Sequence, residues 1–472
     1  MQGQQGQQGQ GQSQGSGADD TVAVVLAAGK GTRMRSALPK VLHPLGGVPM
    51  IRRVLASADA VAGRSVVVVA PDADKVRDAL ADSGAVLAVQ HAQQGTGDAL
   101  RAALPELGDA ARVLVLYGDV PLLSAPTLER LLATVPRDAL GLITVRPPDP
   151  SGLGRILRGA DGQVTGIVEE RDADADQRAI AEINSGIYVL PGGCVAEWLE
   201  RLSADNAQGE YYLTDLVEFA VADGVPVVAM DAGDPDEVAG INDRVQLARL
   251  ERVLQLRSAE SLMNGGVTLR DPARFDLRGR LDAGEDCEID IGCLFEGEVI
   301  LGSGVRIGAH CVIADADIAD DAVIEPFSHI HGARVGAGAR IGPYARLREG
   351  TELAERVRIG NFVETKKTRM GPGSKANHLA YLGDTILGAE CNVGAGTITC
   401  NYDGDAKHPT TVGDGVFVGS NSTLVAPLEL ENGAYVAAGS TVTNRVPGDA
   451  LAVGRARQRN IDGWRKRRHS DD

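Results

Sequence analysis

The hydrophobic pattern along this chain changes its period twice. Residues 21–28 (TVAVVLAA) form a continuous apolar run, the mark of a strand buried on both faces. Residues 65–70 repeat it, and 86–90, 113–117 and 139–145 read as further strands. Helical spacing fills 50–61, 72–83, 97–107 and 127–135 between them. Strand and helix alternate, which predicts a mostly parallel sheet covered on both faces, ending near Asp231. Residues 242–264 then carry Leu247, Leu250, Leu254 and Ser258 at steps of three and four among charged positions. That spacing predicts a connecting helix.

After Val299 the period becomes six. Leu301, Ile307, Ile313, Ile318, Ile324, Ile330, Val335, Ile341, Leu347, Leu353 and Ile359 follow at steps of six, with two of five. Val412, Val418, Leu424, Leu430, Val436 and Val442 resume it at strict steps of six. Neither a helix nor an alternating strand has this period. It fits a hexapeptide solenoid, three hexads per triangular coil, with each aliphatic side chain in a shared core. Between Ile359 and Val412 the core slots read as irregular. That stretch holds Lys366, Lys367, His378 and Tyr381, and residues 400–411 read as a protruding insertion. The expected organisation is a disordered Gln/Gly tail at 1–20, a first domain at 21–241, a linker helix at 242–264, a solenoid at 265–456 and a C-terminal tail at 457–472. The basic run at 465–468 reads as a solvated part of that tail.

Composition sharpens this picture. A chain of 472 residues has room for two or three domains. Its 59 glycines and 3% aromatic content suit a repeat with many tight corners. A net charge of −17 argues against a general nucleic-acid binder. No apolar run approaches the roughly 18 residues of a membrane span. The N-terminal residues carry no hydrophobic leader pattern. The six cysteines are scattered without a Cys-x-x-Cys pair, which predicts free thiols and a cytoplasmic setting.

Two constellations carry candidate chemistry. The segment Leu26-Ala27-Ala28-Gly29-Lys30-Gly31-Thr32-Arg33-Met34 follows the first strand, with Pro39-Lys40 beyond it. Gly29 and Gly31 let backbone N–H groups approach an anion, and open α/β sheets bind ligands at this edge. Arg33 and Lys40 add positive charge. Tyr117 and Asp119 end another strand, where Asp119 serves either as a Mg²⁺ ligand or as a helix cap. Gln90, Gln93, Gly95 and Thr96 either read a base edge or cap the next helix. Asn184 and Asn242 fit turns as well as ligands. In the second constellation, His378 stands in the polar interruption of the solenoid, where an imidazole suits a general base.

The pattern Leu-x-x-Gly-x-Gly-Thr-x-Met-x₄-Pro-Lys resembles the signature of sugar-1-phosphate nucleotidyltransferases. With the solenoid and Asn401-Tyr402-Asp403-Gly404, the chain is similar to the bacterial bifunctional N-acetylglucosamine-1-phosphate uridyltransferase / glucosamine-1-phosphate N-acetyltransferase family. The likeness runs from about Thr21 to Trp464. It implies a Rossmann-like α/β nucleotidyltransferase domain, a connecting helix and a left-handed parallel β-helix. It implies UMP transfer from UTP to N-acetylglucosamine 1-phosphate in the first domain, with Mg²⁺ held by Asp119 and Asn242. Arg33 and Lys40 would steady the phosphates. Leu26, Ala27, Ala28, Gly29, Gln90, Gly95 and Thr96 would take the uridine, beside Tyr117. Gly154, Glu169, Asn184 and Thr214 would read the sugar.

For the solenoid the resemblance implies acetyl transfer from acetyl-CoA to glucosamine 1-phosphate, with His378 as base. Arg348 and Lys366 would bind the sugar phosphate, and Tyr381 and Asn392 the sugar. Asn401, Tyr402, Lys407, Ser420, Ala438 and Arg455 would line the acetyl-CoA site, with an oxyanion donor at Ala395 or Gly396. A homotrimer through the β-helix, small-molecule substrates and a product used for the cell wall are implied as well. Two rivals remain at this point. One is another sugar nucleotidyltransferase whose solenoid serves assembly; the other is a noncatalytic nucleotide-sugar scaffold.

Overall fold

The computed structural model describes residues 20–467. The expected tail at 1–20 lies outside them apart from Asp20, as does Arg468 of the basic run. The chain divides into two compact units between Leu254 and Gln255.

The first unit is built on β1 (Thr21–Leu26), β2 (Arg64–Val69), β3 (Val86–Val89), β4 (Arg112–Tyr117), β5 (Leu140–Val145), β6 (Arg155–Arg158), β7 (Val164–Val168), β8 (Ile183–Pro191) and β9 (Val227–Asp231). The sheet order is β9-β5-β8-β4-β1-β2-β3. Neighbours are parallel except at β8, which runs antiparallel to β4 and β5. The hairpin of β6 and β7 joins β8 through Arg155 and Ile183. Alternate residues of β1 explain its unbroken apolar run. Ala23 and Val25 pack on one face with α1 (Met50–Asp59), α2 (Asp74–Ala79) and α4 (Ala125–Thr134), while α3 (Thr96–Leu107) lies on the other. Val22, Val24 and Leu26 pack there with α3, α5 (Gly192–Arg201) and α6 (Asp215–Ala222). Each such side chain taken fully out of water contributes about 1.5–3 kcal/mol. Both faces are therefore closed, and the strand ends are left for ligands.

The helix expected to connect the halves is α7 (Arg244–Asn264). Beyond it the second unit is a parallel β-helix with three faces. The first face is one stack from Thr268–Leu269 to Leu451–Ala452. The second includes His329–His331, Arg346–Leu347, Glu364–Lys366 and Tyr381–Gly383. The third runs from Ala333–Val335 to Leu428–Leu430. The long strands Phe275–Ala283, Cys293–Leu301 and Val312–Ile318 precede the split into second and third faces. The aliphatic residues of the six-residue pattern are all buried in one core.

Leu269, Phe275 and Leu281 already occupy core slots, ahead of the clear six-residue stride and inside the segment 265–456 read as the solenoid. One feature differs from the sequence reading: the core does not become irregular after Ile359. Thr365, Met370, Ala376, Leu382, Leu387, Val393 and Thr399 keep the stride and are buried. At Thr365 and Thr399 hydroxyls stand in for methyls, and both find hydrogen-bond partners. Thr365 Oγ1 lies 3.0 Å from Thr351 Oγ1, and Thr399 Oγ1 accepts from the Gly383 N–H at 2.8 Å.

Candidate active sites

In the first unit a cavity of about 510 Å³ opens at the carboxyl ends of β1 and β4. Leu26, Ala27, Ala28 and Gly29 form one wall, and Gln90, Gly95, Thr96 and Tyr117 another. A Cβ on Gly29 would meet nothing within 4 Å, so its backbone faces open space. Gly31 sits at φ +56°, and a Cβ there would lie 2.6 Å from Lys40 Cβ. Its missing side chain lets the loop close on Lys40. The Ile241 N–H donates to the Asp119 carbonyl at 2.9 Å, which sets Asn242 beside Asp119 across more than a hundred residues of chain.

The Lys40 ammonium is bound to the Asp119 carboxylate and donates to Asn242 Oδ1 at 3.2 Å. Two oxygen donors thus converge on one cation in a mostly buried spot. Oxygen donors of this kind, completed by water and substrate phosphate, fit Mg²⁺. Gln90 spends its amide N–H groups inside the protein, on the Gly95 carbonyl at 3.0 Å and on Asp98 at 2.8 Å. Only its Oε1 is left for a ligand. Gln93 ties its amide to the Ala28 carbonyl at 2.8 Å. Arg33 lies exposed on the turn Thr32–Met34 and does not line the cavity. Lys30 and Glu210 do line it, and the sequence reading had not singled them out as ligand residues. Lys30 lay inside the quoted loop; nothing local marks Glu210.

Gly154, Glu169, Asn184 and Thr214 come together although they are far apart in sequence. The Asn184 N–H donates to the Gly154 carbonyl at 2.9 Å. Thr214 Oγ1 donates to Glu169 Oε1 at 3.3 Å, and a Cβ on Gly154 would reach Glu169 at 3.5 Å. Burial pushes the Glu169 carboxyl above its ordinary pKa, against the Thr214 hydrogen bond, with Asp172 and Glu210 adding to the rise. Burial likewise raises the Tyr117 hydroxyl, helped by the charge of Glu169.

In the second unit His378 ends the strand Lys375–His378 on the first face. Its Nδ1 lies 3.0 Å from Asn361 Oδ1, the residue paired with it one coil earlier. An amide oxygen only accepts, so Nδ1 carries the hydrogen and Nε2 keeps a lone pair. Asn361 was missed because its partner stands a coil away. Around the corner, on the second face, Tyr381 and Asn401 meet over Gly383. A Cβ on Gly383 would lie 2.5 Å from the Tyr381 hydroxyl and 2.8 Å from the Asn401 amide. Asn401 also donates to Asp384.

The insertion is a hairpin, with Tyr402 bridged to Lys407. Asp403 ties it, accepting from the Asp405 N–H at 2.9 Å and the Ala406 N–H at 2.8 Å, with His408 Nε2 at 2.6 Å. These contacts hold the Asp403 carboxyl well below the usual range. Lys407 returns beside Lys366. Arg348 donates to Glu364 at 2.8 Å on the same face. Ala395, Ser420 and Ala438 fall on successive coils. The Ala395 carbonyl accepts from the Asn421 N–H at 2.7 Å, and the Ser420 carbonyl from the Gly439 N–H at 2.8 Å. Arg455 Cδ lies 3.7 Å from where a Gly439 Cβ would be. Asn392 is not on the face of Arg348, Lys366 and Tyr381: it pairs with Lys375 and Phe417 on the first face.

Residues 23–264 match the MobA-like NTP transferase domain. Residues 409–444 match the hexapeptide repeat of succinyl-transferase, and 277–373 the GMPPB C-terminal domain. The "Bifunctional protein GlmU" of Alkalilimnicola ehrlichii is 55% identical over 94% of this chain and 96% of its own. That of Stutzerimonas stutzeri is 55% identical over 94% and 98%. The chain belongs to the GlmU family. It is a bifunctional enzyme, with nucleotidyl transfer in the first unit and acetyl transfer in the hexapeptide unit. Both rivals from the sequence reading thereby fall. Among the described residues no helix is long and apolar enough to cross a membrane, and no cysteine is in a disulfide.

Proposed function

We propose that the chain makes UDP-N-acetylglucosamine in two steps, acetyl transfer to glucosamine 1-phosphate and then uridylyl transfer to the product. The observation that carries the second step is the convergence of Lys40, Asp119 and Asn242 in the cavity beside the glycine loop. Asp119 and Asn242 would hold Mg²⁺, which when bound neutralises triphosphate charge and polarises the leaving group. Lys40 then turns to the phosphates, with Arg33 at the loop for the pyrophosphate. Leu26, Ala27, Ala28, Gly29, Gln90, Gly95 and Thr96 hold the uridine. Gly154, Glu169, Asn184 and Thr214 read the acetamido sugar. A phosphate oxygen of the sugar attacks the α-phosphorus, the new P–O bond forms, and the bond to pyrophosphate breaks. That oxygen is already anionic, so positioning and charge stabilisation do the catalysis.

In the acetyl-transfer step the free amine attacks the thioester carbonyl. His378 Nε2 takes the proton, the C–N bond forms, and the C–S bond breaks to release the thiol. Asn361 holds the tautomer that leaves Nε2 basic. Arg348 and Lys366 take the phosphate, and Tyr381 and Asn392 the sugar. Ala395, Asn401, Tyr402, Lys407, Ser420, Ala438 and Arg455 take acetyl-CoA. Asn392 stands on a different face from Lys366 and Tyr381. In our reading the chain forms a homotrimer through the β-helix, in which a neighbouring copy would bring its Asn392 to the site. An exposed corner ladder supports this. Phe327, Tyr344 and Phe362 stack at 5.0 and 5.4 Å and stay about half exposed. We place the enzyme in the cytoplasm, with its product feeding cell-wall synthesis.

The test supplies purified chain with Mg²⁺, UTP, acetyl-CoA and glucosamine 1-phosphate, and follows thiol and pyrophosphate together. Thiol followed by pyrophosphate is expected. Pyrophosphate that appears only with preformed N-acetylglucosamine 1-phosphate would remove the acetyl-transfer step.

A further inference from the structure

We propose that the acetyl-transfer unit grips its acceptor's phosphate monoester in a cationic pocket on the second face, where Arg346 and His329 bind the dianion beside Arg348 and Lys366. This rests on the acetyl-transfer reading and adds two residues to it. The pocket has a volume of about 250 Å³ and is lined by His329, His331, Arg346, Arg348, Glu349 and Lys366. It arises from strand register. His329 pairs with Arg346, and Arg346 with Glu364. Ile330 and Leu347 point into the core, so the residues on either side of each point outward. Neighbouring strands lie about 4.8 Å apart, which puts both arginines, both histidines and the lysine within reach of one small anion.

The charges there are out of balance. Glu364, the register neighbour of Arg346, gives its carboxylate to Arg348 instead. Among the described residues no carboxylate pairs with Arg346 within 4.0 Å. Lys366 is crowded by Lys407 first, then by Arg348 and Lys367, and these hold its ammonium below the ordinary lysine pKa. Among the described residues His331 has an ion pair only with Asp315, at 3.8 Å. Partial burial, then Arg346 and His331, push His329 toward its neutral form, against Glu296. A neutral imidazole still donates one N–H. A guanidinium donates two parallel N–H bonds to phosphate. Excess positive charge in a concave site, with a fork of donors, fits a compact dianion.

Arg346→Gln and His329→Gln in the full chain test this. The KM for glucosamine 1-phosphate should rise about tenfold for the arginine variant, and about threefold for the histidine variant. In both, kcat, the KM for acetyl-CoA and uridylyl transfer should stay within about twofold, which also reports an intact fold. Inorganic phosphate should compete with the sugar phosphate, and less well in the variants. An unchanged KM in both variants, or an equal rise in the KM for acetyl-CoA, overturns the proposal. If the wild-type chain releases no thiol, the acetyl-transfer reading fails by itself. Calorimetric titration with glucosamine 1-phosphate then decides the pocket: a Kd about tenfold weaker in Arg346→Gln supports it, and an equal Kd overturns it.

Discussion

The cavity of the first unit forms where strands end, whereas the pocket of the second forms on the flat of a sheet. At the strand ends of the first unit a glycine loop brings backbone close to the ligand, and few side chains are needed. Lys40, Asp119 and Asn242 suffice to organise charge. On the second face of the β-helix the strand backbones pair from coil to coil. Function there must come from outward side chains stacked in columns, such as His329, Arg346 and Glu364. One architecture concentrates chemistry in a loop; the other spreads it over positions a coil apart.

The largest expected effects separate the two. Asp119→Asn should cut uridylyl transfer by about a thousandfold, the scale of losing a main electrostatic group, and leave acetyl transfer within about twofold. Chelating divalent cations should do the same. His378→Ala should reverse the pattern, lowering acetyl transfer by about 10²–10⁴-fold as expected for a general base. Loss of both activities in either folded variant would break the separation.

A subtler test sits at Gly383. A Cβ there would meet the Tyr381 hydroxyl at 2.5 Å and the Asn401 amide at 2.8 Å. Gly383→Ala should therefore displace both and lower acetyl transfer by about 10–100-fold, the cost of misplaced groups near the chemistry, with uridylyl transfer intact. Smaller again is Asn361→Ala. It frees the His378 ring to adopt the other tautomer, and kcat for acetyl transfer should fall about tenfold. Preserved kcat would show that the ring is held by something else.

The smallest effect is on stability and belongs to the first unit. Burial raises the Asp215 carboxyl to about 6, with Glu218, Glu169 and Asp172 adding to it. The folded state then holds the proton more tightly than the unfolded chain. Stability falls as pH rises from about 4 to about 6 and is level above that. Asp215→Asn should flatten this slope and stabilise the unit at pH 7 by about 1 kcal/mol, after allowance for solvent screening. Thermal melts at pH 4.5 and 7.5 would show it; an unchanged pH slope would count against the burial of this carboxyl.

Much was legible along the chain because it depends on period. The apolar run of β1 announced a strand closed on both faces, and steps of six announced the solenoid. The loop Gly29–Gly31 with Lys40 declared itself as well, since a glycine turn and its cations are local. Other features were not legible. Local pattern offered no reason to place Asn242 against Asp119, a pairing that only the family resemblance implied; a backbone hydrogen bond from Ile241 makes it. The stretch after Ile359 looked broken only because hydroxyls replaced aliphatics in Thr365 and Thr399. Asn361 met His378, and Arg346 met His329, through coil register. Periodicity is written by each residue's own preference for water or core, so the sequence alone determines which elements form and which faces are buried. Adjacency across coils and strand ends depends on how many residues each turn takes, and only the folded backbone sets that sum.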